Sequence, residues 1–345
     1  MNRANSNWYI GMANILLITD AWRQTNGVVV TLENLVKQAE LNKDTVHVYH
    51  SGCCRTRFPF PFYREIDIAF PKKSEVEDLV TNPKWNAIHI ATPEGFVGRQ
   101  FAAACKKLDV KFSTSCHTKF PEFLNYRLPF IKVKWGWQWM KKQYQNATKI
   151  LVPSRSMKQE LIDWGFDQKI VVWSRGVDRN LFYPKPHKSD GQKILLCVSR
   201  ISHEKGLDDF CRIQMPSTRK IVVGDGPYLN HLKKKYPETE FTGKKTGKEL
   251  ADYYRQADIF VFPSRADTFG VVMIESIACG TPVAAYPVTG PVDIIQEGSN
   301  GSLNDNLEKA IKNALCVSRY ETHQASLEWT WERCYRQFRQ NLLDP

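Results

Sequence analysis

Long apolar runs are missing from this chain of 345 residues. None approaches the roughly 18–20 residues that span a bilayer, so no transmembrane helix is expected. The start, MNRANSNWYIGMANILLITDAW, lacks the apolar core and cleavage pattern of a secretory signal. Residues 1–11 read as a disordered extension ahead of a first strand, with Met12 as an alternative start. A cysteine framework is missing too. Nine cysteines are scattered, with one adjacent pair, Cys53 and Cys54, and no C-x-x-C. An odd, unframed set reads as reduced thiols in a cytoplasmic protein and argues against zinc. No short repeat or low-complexity tract occurs, which excludes a solenoid.

Acidic charge is in short supply. Lys and Arg number 48 against 36 Asp and Glu, a net +12. The excess is uneven: residues 1–178 hold 25 basic against 16 acidic side chains, and 179–345 hold 23 against 20. A basic first half fits an anionic partner, whether phospholipid surface, anionic glycan or nucleic acid, or else a solvated face. Apolar content of 42% and charged content of 24% are those of a soluble globular chain. The length suits two domains, each with its own core.

Short apolar, β-branched runs recur, each followed by helical periodicity. In the first half they lie at 14–19, 45–49, 87–91, 110–114, 149–152 and 170–173. In the second they lie at 194–198, 219–223, 240–242, 258–262 and 282–286. Near-continuous apolar strands alternating with helices predict parallel sheets covered on both faces. Two such series predict an α/β chain of two doubly wound domains, with ligands at the carboxyl ends of the strands. The boundary falls near SRGVDRNLFYPKPHKSDGQK (174–193), where Pro184 and Pro186 interrupt structure. The expected division is 1–178, 179–325 and a C-terminal segment 326–345. In that segment LEWTWERCYRQFRQNLL (327–343) has helical spacing and is expected to pack back on the first domain.

Three strand ends in the second half carry the residue types a nucleotide needs. ILLCVSRISHEKG offers Arg200 and Lys205 after the strand. RKIVVGDGPYLNHL offers Gly224 and Gly226. DIFVFPSRADTFGVVMIE opens a helix near Phe269 and Gly270. Arg and Lys neutralise a diphosphate, one as a planar fork and the other as a point charge. The amides at Gly270, Val271 and Val272 suit a phosphate at a helix N-terminus, and the absent side chain at Gly270 lets it approach. Glu275, a turn deeper, suits ribose hydroxyls. A lone G-x-G is a weak signal and a lone Glu usually a solvated face; the combination on successive strand ends carries the argument.

These residues resemble glycosyltransferase family 4 of the GT-B fold, two Rossmann-like domains facing a central cleft, from Asn14 onward. The matching stretches are ITDAWRQTNGVVVTLENL, HIATPEGFVGRQFAAACKKL, STSCHTKFPEF, VSRISHEKG, VVGDGPYLNHL and FVFPSRADTFGVVMIESIACGTPVAAYPVTGPVDII. The resemblance lies closest to lipid-directed α-mannosyl and sulfoquinovosyl or galactosyl transferases. It implies that Asp267 and Glu275 are the two acids of the donor-binding E-x7-E motif, with Asp267 a methylene shorter than the usual glutamate. It also implies that Arg200 and Lys205 bind the diphosphate, that Asn26 and Gly27 approach donor phosphate or acceptor, and that His117 faces the donor sugar. Gly243 and Lys244 would line the base pocket through backbone. The reaction implied is retaining hexosyl transfer without a metal or other cofactor, and no D-x-D pair is visible. Glu94, after Pro93, reads as an acid at a helix start.

The segment RLPFIKVKWGWQWMKKQYQ (127–145) interleaves Arg127, Lys132, Lys134, Lys141 and Lys142 with Phe130, Trp135, Trp137, Trp139 and Tyr144, and holds no acid. Such a mixture lies in a membrane interface, stacks on bases, or packs inside with its lysines solvated. The lipid acceptors of the related enzymes favour the membrane. The expectation is therefore a cytoplasmic enzyme, peripheral on a membrane's cytoplasmic face, that moves mannose from GDP-mannose to a lipid or glycan hydroxyl. The alternatives are a UDP-sugar-dependent glycolipid synthase and a catalytically silent module binding anionic surfaces. Nucleic acid is not expected; it would demand strongly salt-dependent binding.

Overall fold

The computed structural model describes residues 11–22, 26–60, 63–128, 130–186 and 191–343. Residues 1–10 of the expected extension and the side chain of Arg127 lie outside the described residues. The strands are β1 (Asn14–Thr19), β2 (Thr45–His50), β3 (Thr56–Phe60), β4 (Tyr63–Phe70), β5 (Ala87–Ile90), β6 (Ser113–Ser115), β7 (Lys149–Val152) and β8 (Lys169–Val172). They continue as β9 (Lys193–Val198), β10 (Thr218–Val223), β11 (Glu240–Phe241), β12 (Ile259–Phe262), β13 (Val283–Ala285) and β14 (Gly301–Leu303).

Two six-stranded sheets result, in the orders β2-β1-β5-β6-β7-β8 and β11-β10-β9-β12-β13-β14. Every registered pair within them is parallel. The second order is that of a Rossmann domain, and the first reverses between its first and third strands as flavodoxin-like sheets do. Alternate residues of the second sheet feed two different cores. Leu196, Val198, Phe260 and Phe262 face one, while Leu195, Cys197, Ile259 and Val261 face the other. A sheet buried on both faces has no polar side, which is why its strands read as continuous apolar runs.

Three departures from the sequence expectation have physical causes. The run at 110–114 pairs only over Ser113–Ser115, because Val110 closes the turn after the preceding helix by donating to Cys105. The antiparallel hairpin β3-β4 and the three-residue strand β14 go unpredicted, since TRFPF contains a proline and GSL is too short for any period. The final helix starts at Trp331, not Leu327: the Thr330 hydroxyl accepts from the Arg333 amide at 3.1 Å and caps it there.

The chain packs as two compact units. One comprises residues 1–116, 143–151 and 335–345; the other comprises 117–142 and 152–334. In the first unit the end of the final helix is fixed by one buried acid. Asp44 accepts from the Arg339 Nε at 2.6 Å, from the Tyr335 hydroxyl, and from the Ala13 amide at 2.7 Å. Burial would raise its pKa, but the bonds from Arg339, Tyr335 and Ala13 outweigh that and hold it below the usual value. A carboxyl with a depressed folded pKa stabilises above its unfolded pKa and loses that contribution as pH falls through the folded one. Among the described residues no helix is long and apolar enough to cross a membrane. Asp44→Ala should lower unfolding free energy by about 3 kcal/mol at neutral pH, measured by urea denaturation. The difference from wild type should shrink in acid.

Candidate functional site

Parallel strands put all their carboxyl ends on one edge, and β10, β9 and β12 are neighbours in the second sheet. The three loops singled out in the sequence therefore lie side by side. How they are held explains the glycines. Gly224 and Gly226 have φ of 148° and 159°. A Cβ on Gly224 would stand 1.8 Å from the Ser199 carbonyl oxygen, and one on Gly226 would stand 2.3 Å from that of Ile201. The β10 loop thus presses its bare backbone on the loop that carries Arg200, and the Ile201 amide donates to the Asp225 carbonyl at 2.9 Å. Gly243 joins the same edge, its carbonyl accepting from the Gly224 amide at 2.9 Å. Lys244 follows directly.

Across β9 and β12, the Lys205 ammonium donates to Asp267 Oδ1 at 2.6 Å. Both side chains are part-buried, at 25% and 21% exposure. The other oxygen, Asp267 Oδ2, is buried with no hydrogen-bond partner among the described residues. Burial would raise the Asp267 pKa; the charge and hydrogen bond of Lys205, with smaller help from Ser264 and Lys119, hold it below the usual value. The acid is therefore ionised and half-satisfied, and a buried acceptor in that state calls for a donor. Arg200 lies on the same loop as Lys205, half-buried, its pKa lowered by burial and partly restored by Glu204.

Gly270 begins the helix Val271–Ala278 in the left-handed region, φ 93°, with no side chain capping it. A Cβ there would meet Met273 Cε at 2.7 Å and the Phe262 ring at 3.0 Å. Backbone conformation and packing therefore require glycine at 270 quite apart from any ligand. One turn on, Glu275 Oε2 accepts from the Tyr254 hydroxyl at 2.9 Å. Burial pushes the Glu275 carboxyl up to about 7.

His117 lies in the second unit with this loop. Its carbonyl accepts from the Thr268 hydroxyl at 2.7 Å, next to Asp267. Its ring meets Trp173 edge-on at 5.7 Å, and Arg175 Nη2 stands 3.4 Å from Nδ1. An arginine only donates, so in that contact Nδ1 is the acceptor. Arg175 is buried, lies over the Trp173 ring and donates to the Trp173 and Ser174 carbonyls. Sequence reasoning left it in a linker, although it follows β8 much as Arg200 follows β9. It also missed Lys119, buried and paired with Glu160 at 2.7 Å, and Tyr254, which had no local pattern to mark it.

Asn26 and Gly27 belong to the first unit. Asn26 Oδ1 caps the helix Gly27–Leu41, accepting from the Val28 and Val29 amides at 3.0 Å. Gly27 has open space where a Cβ would go, so the fold does not demand glycine there.

The basic aromatic segment forms the helix Val133–Tyr144. Trp137 is 1% exposed, stacks on Trp164 and donates to Glu122 Oε1 at 2.9 Å. It is a core residue and not a surface anchor. Trp139 is half-buried beside Phe120, whereas Trp135 is 58% and Phe130 74% exposed. Lys132, Lys134 and Lys142 are exposed and Lys141 half-buried, with the Lys132 ammonium 5.7 Å from the Trp135 ring centre.

Two Rossmann-like parallel sheets in one chain define a GT-B protein, and solved structures agree in fold. Sucrose-phosphate synthase of Thermosynechococcus elongatus superposes with a TM-score of 0.74 at 18% identity, over 95% of this chain and 98% of that one. HepE of Anabaena, in complex with UDP and glucose, superposes with 0.69 at 16%, over 96% and 99%. The chain belongs to the glycosyltransferases: residues 25–181 match Glycosyltransferase Family 4 and residues 192–319 match Glycosyl transferases group 1. The sulfoquinovosyl transferase of Arabidopsis thaliana is 31% identical over 71% of this chain and 52% of its own length. A GDP-mannose-dependent alpha-mannosyltransferase of Corynebacterium glutamicum is 31% identical over 78% and 64%. An alpha-monoglucosyldiacylglycerol synthase of Streptococcus pneumoniae is 26% identical over 78% and 64%. The chain thus spans about half to two thirds of these relatives' length.

Glu275 is an acid whose folded pKa lies above its unfolded one, so its ionisation costs stability as pH rises from 4.5 to about 7. Glu275→Gln keeps an acceptor for Tyr254 and cannot ionise. It should melt at a higher temperature than wild type at pH 8, and the gap should close by pH 4.5.

Proposed function

We propose that the chain transfers a hexose, with retention and without a metal, from a nucleotide-sugar to a lipid or glycan hydroxyl. The observation that carries this reading is Asp267: an ionised, part-buried acid with one oxygen on Lys205 and the other, buried, lacking a hydrogen-bond partner among the described residues, on an edge lined by Arg200 and an uncapped helix start. A sugar hydroxyl supplies the donor that Oδ2 lacks. The diphosphate lies on Arg200, Lys205 and the amides at Gly270 and Val271, with the ribose on Glu275. Gly224, Gly226, Gly243 and Lys244 line the nucleotide end through backbone, and Phe269 shapes the wall beside Gly270.

In the reaction the bond from the anomeric carbon to phosphate oxygen breaks, and its electron pair stays on the diphosphate. The acceptor oxygen forms the new bond on the same face, and its proton passes to the leaving phosphate. Negative charge grows where Arg200 and Lys205 stand, and charges fixed beforehand stabilise it without reorganising. His117 faces the sugar. No carboxylate acts as covalent nucleophile, unlike the retaining glycosidases.

GDP-mannose is the donor we favour, on the names of the mannosyltransferase relatives. A glucosyl donor for a diacylglycerol is the second reading, on the name of the pneumococcal synthase. Released nucleotide measured over a panel of UDP-, GDP- and ADP-sugars decides between them. Lys205→Ala should lower turnover by about 10²–10³, and Glu275→Ala should raise the donor KM. A wild type that releases nucleotide from no donor leaves the silent binding module standing instead.

We further propose that the chain works at the cytoplasmic face of an anionic membrane, on the exposed pair Phe130 and Trp135 among exposed lysines. Phosphatidylglycerol vesicles should shift the emission of wild type toward the blue and leave Trp135→Phe far less affected. An unchanged wild-type spectrum would sink the idea.

A further inference from the structure

In the first sheet the chain passes from β1 to β2 on one side, and from β5 to β6 on the other. The crevice at the carboxyl ends of β1 and β5 is thus a topological switch point, where open α/β sheets take ligands. Two acids stand there, Asp20 directly after β1 and Glu94 four residues after β5.

Sequence reasoning made Glu94 the acid of the helix Phe96–Lys107. The structure gives that place to Asp20. Its Oδ1 accepts from the Val97 amide at 2.8 Å, and its Oδ2 accepts from the Gly98 amide and the Thr92 hydroxyl, both at 3.1 Å. Gly95 is kept bare for it, since a Cβ would fall 2.0 Å from Asp20 Oδ2. Asp20 is fully employed.

Glu94 is displaced from the helix start and turns to Tyr144. The Tyr144 hydroxyl stands 3.0 Å from Glu94 Oε2 and 3.2 Å from the Ser115 carbonyl oxygen. A phenol has one proton, so these two acceptors compete for it. Tyr144 is the one side chain that donates to Glu94 among the described residues. Burial, with Asp20 adding its charge, raises the carboxyl to about 7 in spite of the bonds from its own backbone amide and from Tyr144. A part-buried acid held by its own backbone amide and a shared phenol, at the switch point of its own sheet, is placed to take a further donor.

We propose that Glu94 binds a hydroxyl of the acceptor, a polyol or sugar headgroup, with Tyr144 as the residue that positions it. The proposal rests on the glycosyltransferase reading and adds to it the acceptor-binding residue. A hydroxyl is the matching group because it donates to the carboxylate and still accepts from a neighbour.

Nucleotide release from GDP-mannose and from UDP-glucose tests it, in wild type and in Glu94→Gln. The acceptor probes are dioleoylglycerol in phosphatidylcholine vesicles, glycerol and methyl α-mannoside, beside protein with no acceptor. Glu94→Gln should raise the KM for the stimulating probe by about tenfold, with slow acceptor-free hydrolysis unchanged and, as for Glu275→Gln, no loss of melting temperature at pH 8. Tyr144→Phe should raise it less. The assignment is overturned if Glu94→Gln and Glu94→Ala both keep the wild-type KM, or if acceptor-free hydrolysis falls with it. It is also overturned if wild type hydrolyses a donor and no hydroxyl probe stimulates release. Only a wild type that acts on no donor of the wider UDP-, GDP- and ADP-sugar panel would bring down the glycosyltransferase reading itself.

Discussion

An ammonium and a carboxylate 2.6 Å apart, Lys205 and Asp267, tie the loop after β9 to the loop after β12. A pair of this kind, largely out of solvent, gains little net stability, because desolvation offsets much of the attraction. Its consequence is positional. Asp267 stays ionised although burial alone would raise its pKa, and Lys205 keeps two further protons to offer. In the proposed reaction an arriving diphosphate would meet a cation already aimed, and one that need not leave its carboxylate to respond.

That pair would be of little use on loose loops, and the glycines of the neighbouring strand end address this. Gly224 and Gly226 allow backbone-to-backbone contact with Ser199 and Ile201 that any Cβ would prevent. The Thr268 hydroxyl on the His117 carbonyl fixes the other flank, as does Ser154 donating to the Thr268 carbonyl at 3.2 Å. The glycines at 224, 226 and 270 thus serve the frame that holds the charges. Gly27 differs: among the described residues there is open space where its Cβ would go, so the frame does not require glycine there.

Legibility followed the range of the interaction. Strands buried on both faces announce themselves as local apolar runs, so β1, β2, β5, β7, β9, β10 and β12 could be read to within a residue or so. β14 and the hairpin β3-β4 could not: GSL is too short to show a period, and TRFPF carries a proline. The same limit applies to the site. Arg200, Lys205 and Glu275 sit in recognisable strings, whereas Lys119, Arg175 and Tyr254 are defined by what they touch. The exchange of Asp20 for Glu94 at a helix start was unreadable for that reason: the cap comes from 77 residues away. Trp137 likewise matched Trp135 in sequence and parted from it only through Trp164 and Glu122.

Three interior carboxyls divide according to what faces them. Asp267 has a cation and is held low; Glu275 and Glu94 each have one tyrosine hydroxyl and are raised to about 7. A phenol delivers a single hydrogen bond and no charge, too little to offset the burial of an anion. Such residues are expensive to keep unless ligand hydroxyls complete their hydrogen bonding, which is why strongly perturbed acids gather at functional sites. Tyrosine in these positions has a further effect. It orients the carboxyl through one oxygen and leaves the other for a ligand, where a lysine or arginine would neutralise the acid and occupy both. The choice of partner thus sorts the acids: a cation keeps the charge in place, and a phenol leaves room for the hydroxyl that the proposed function would bring.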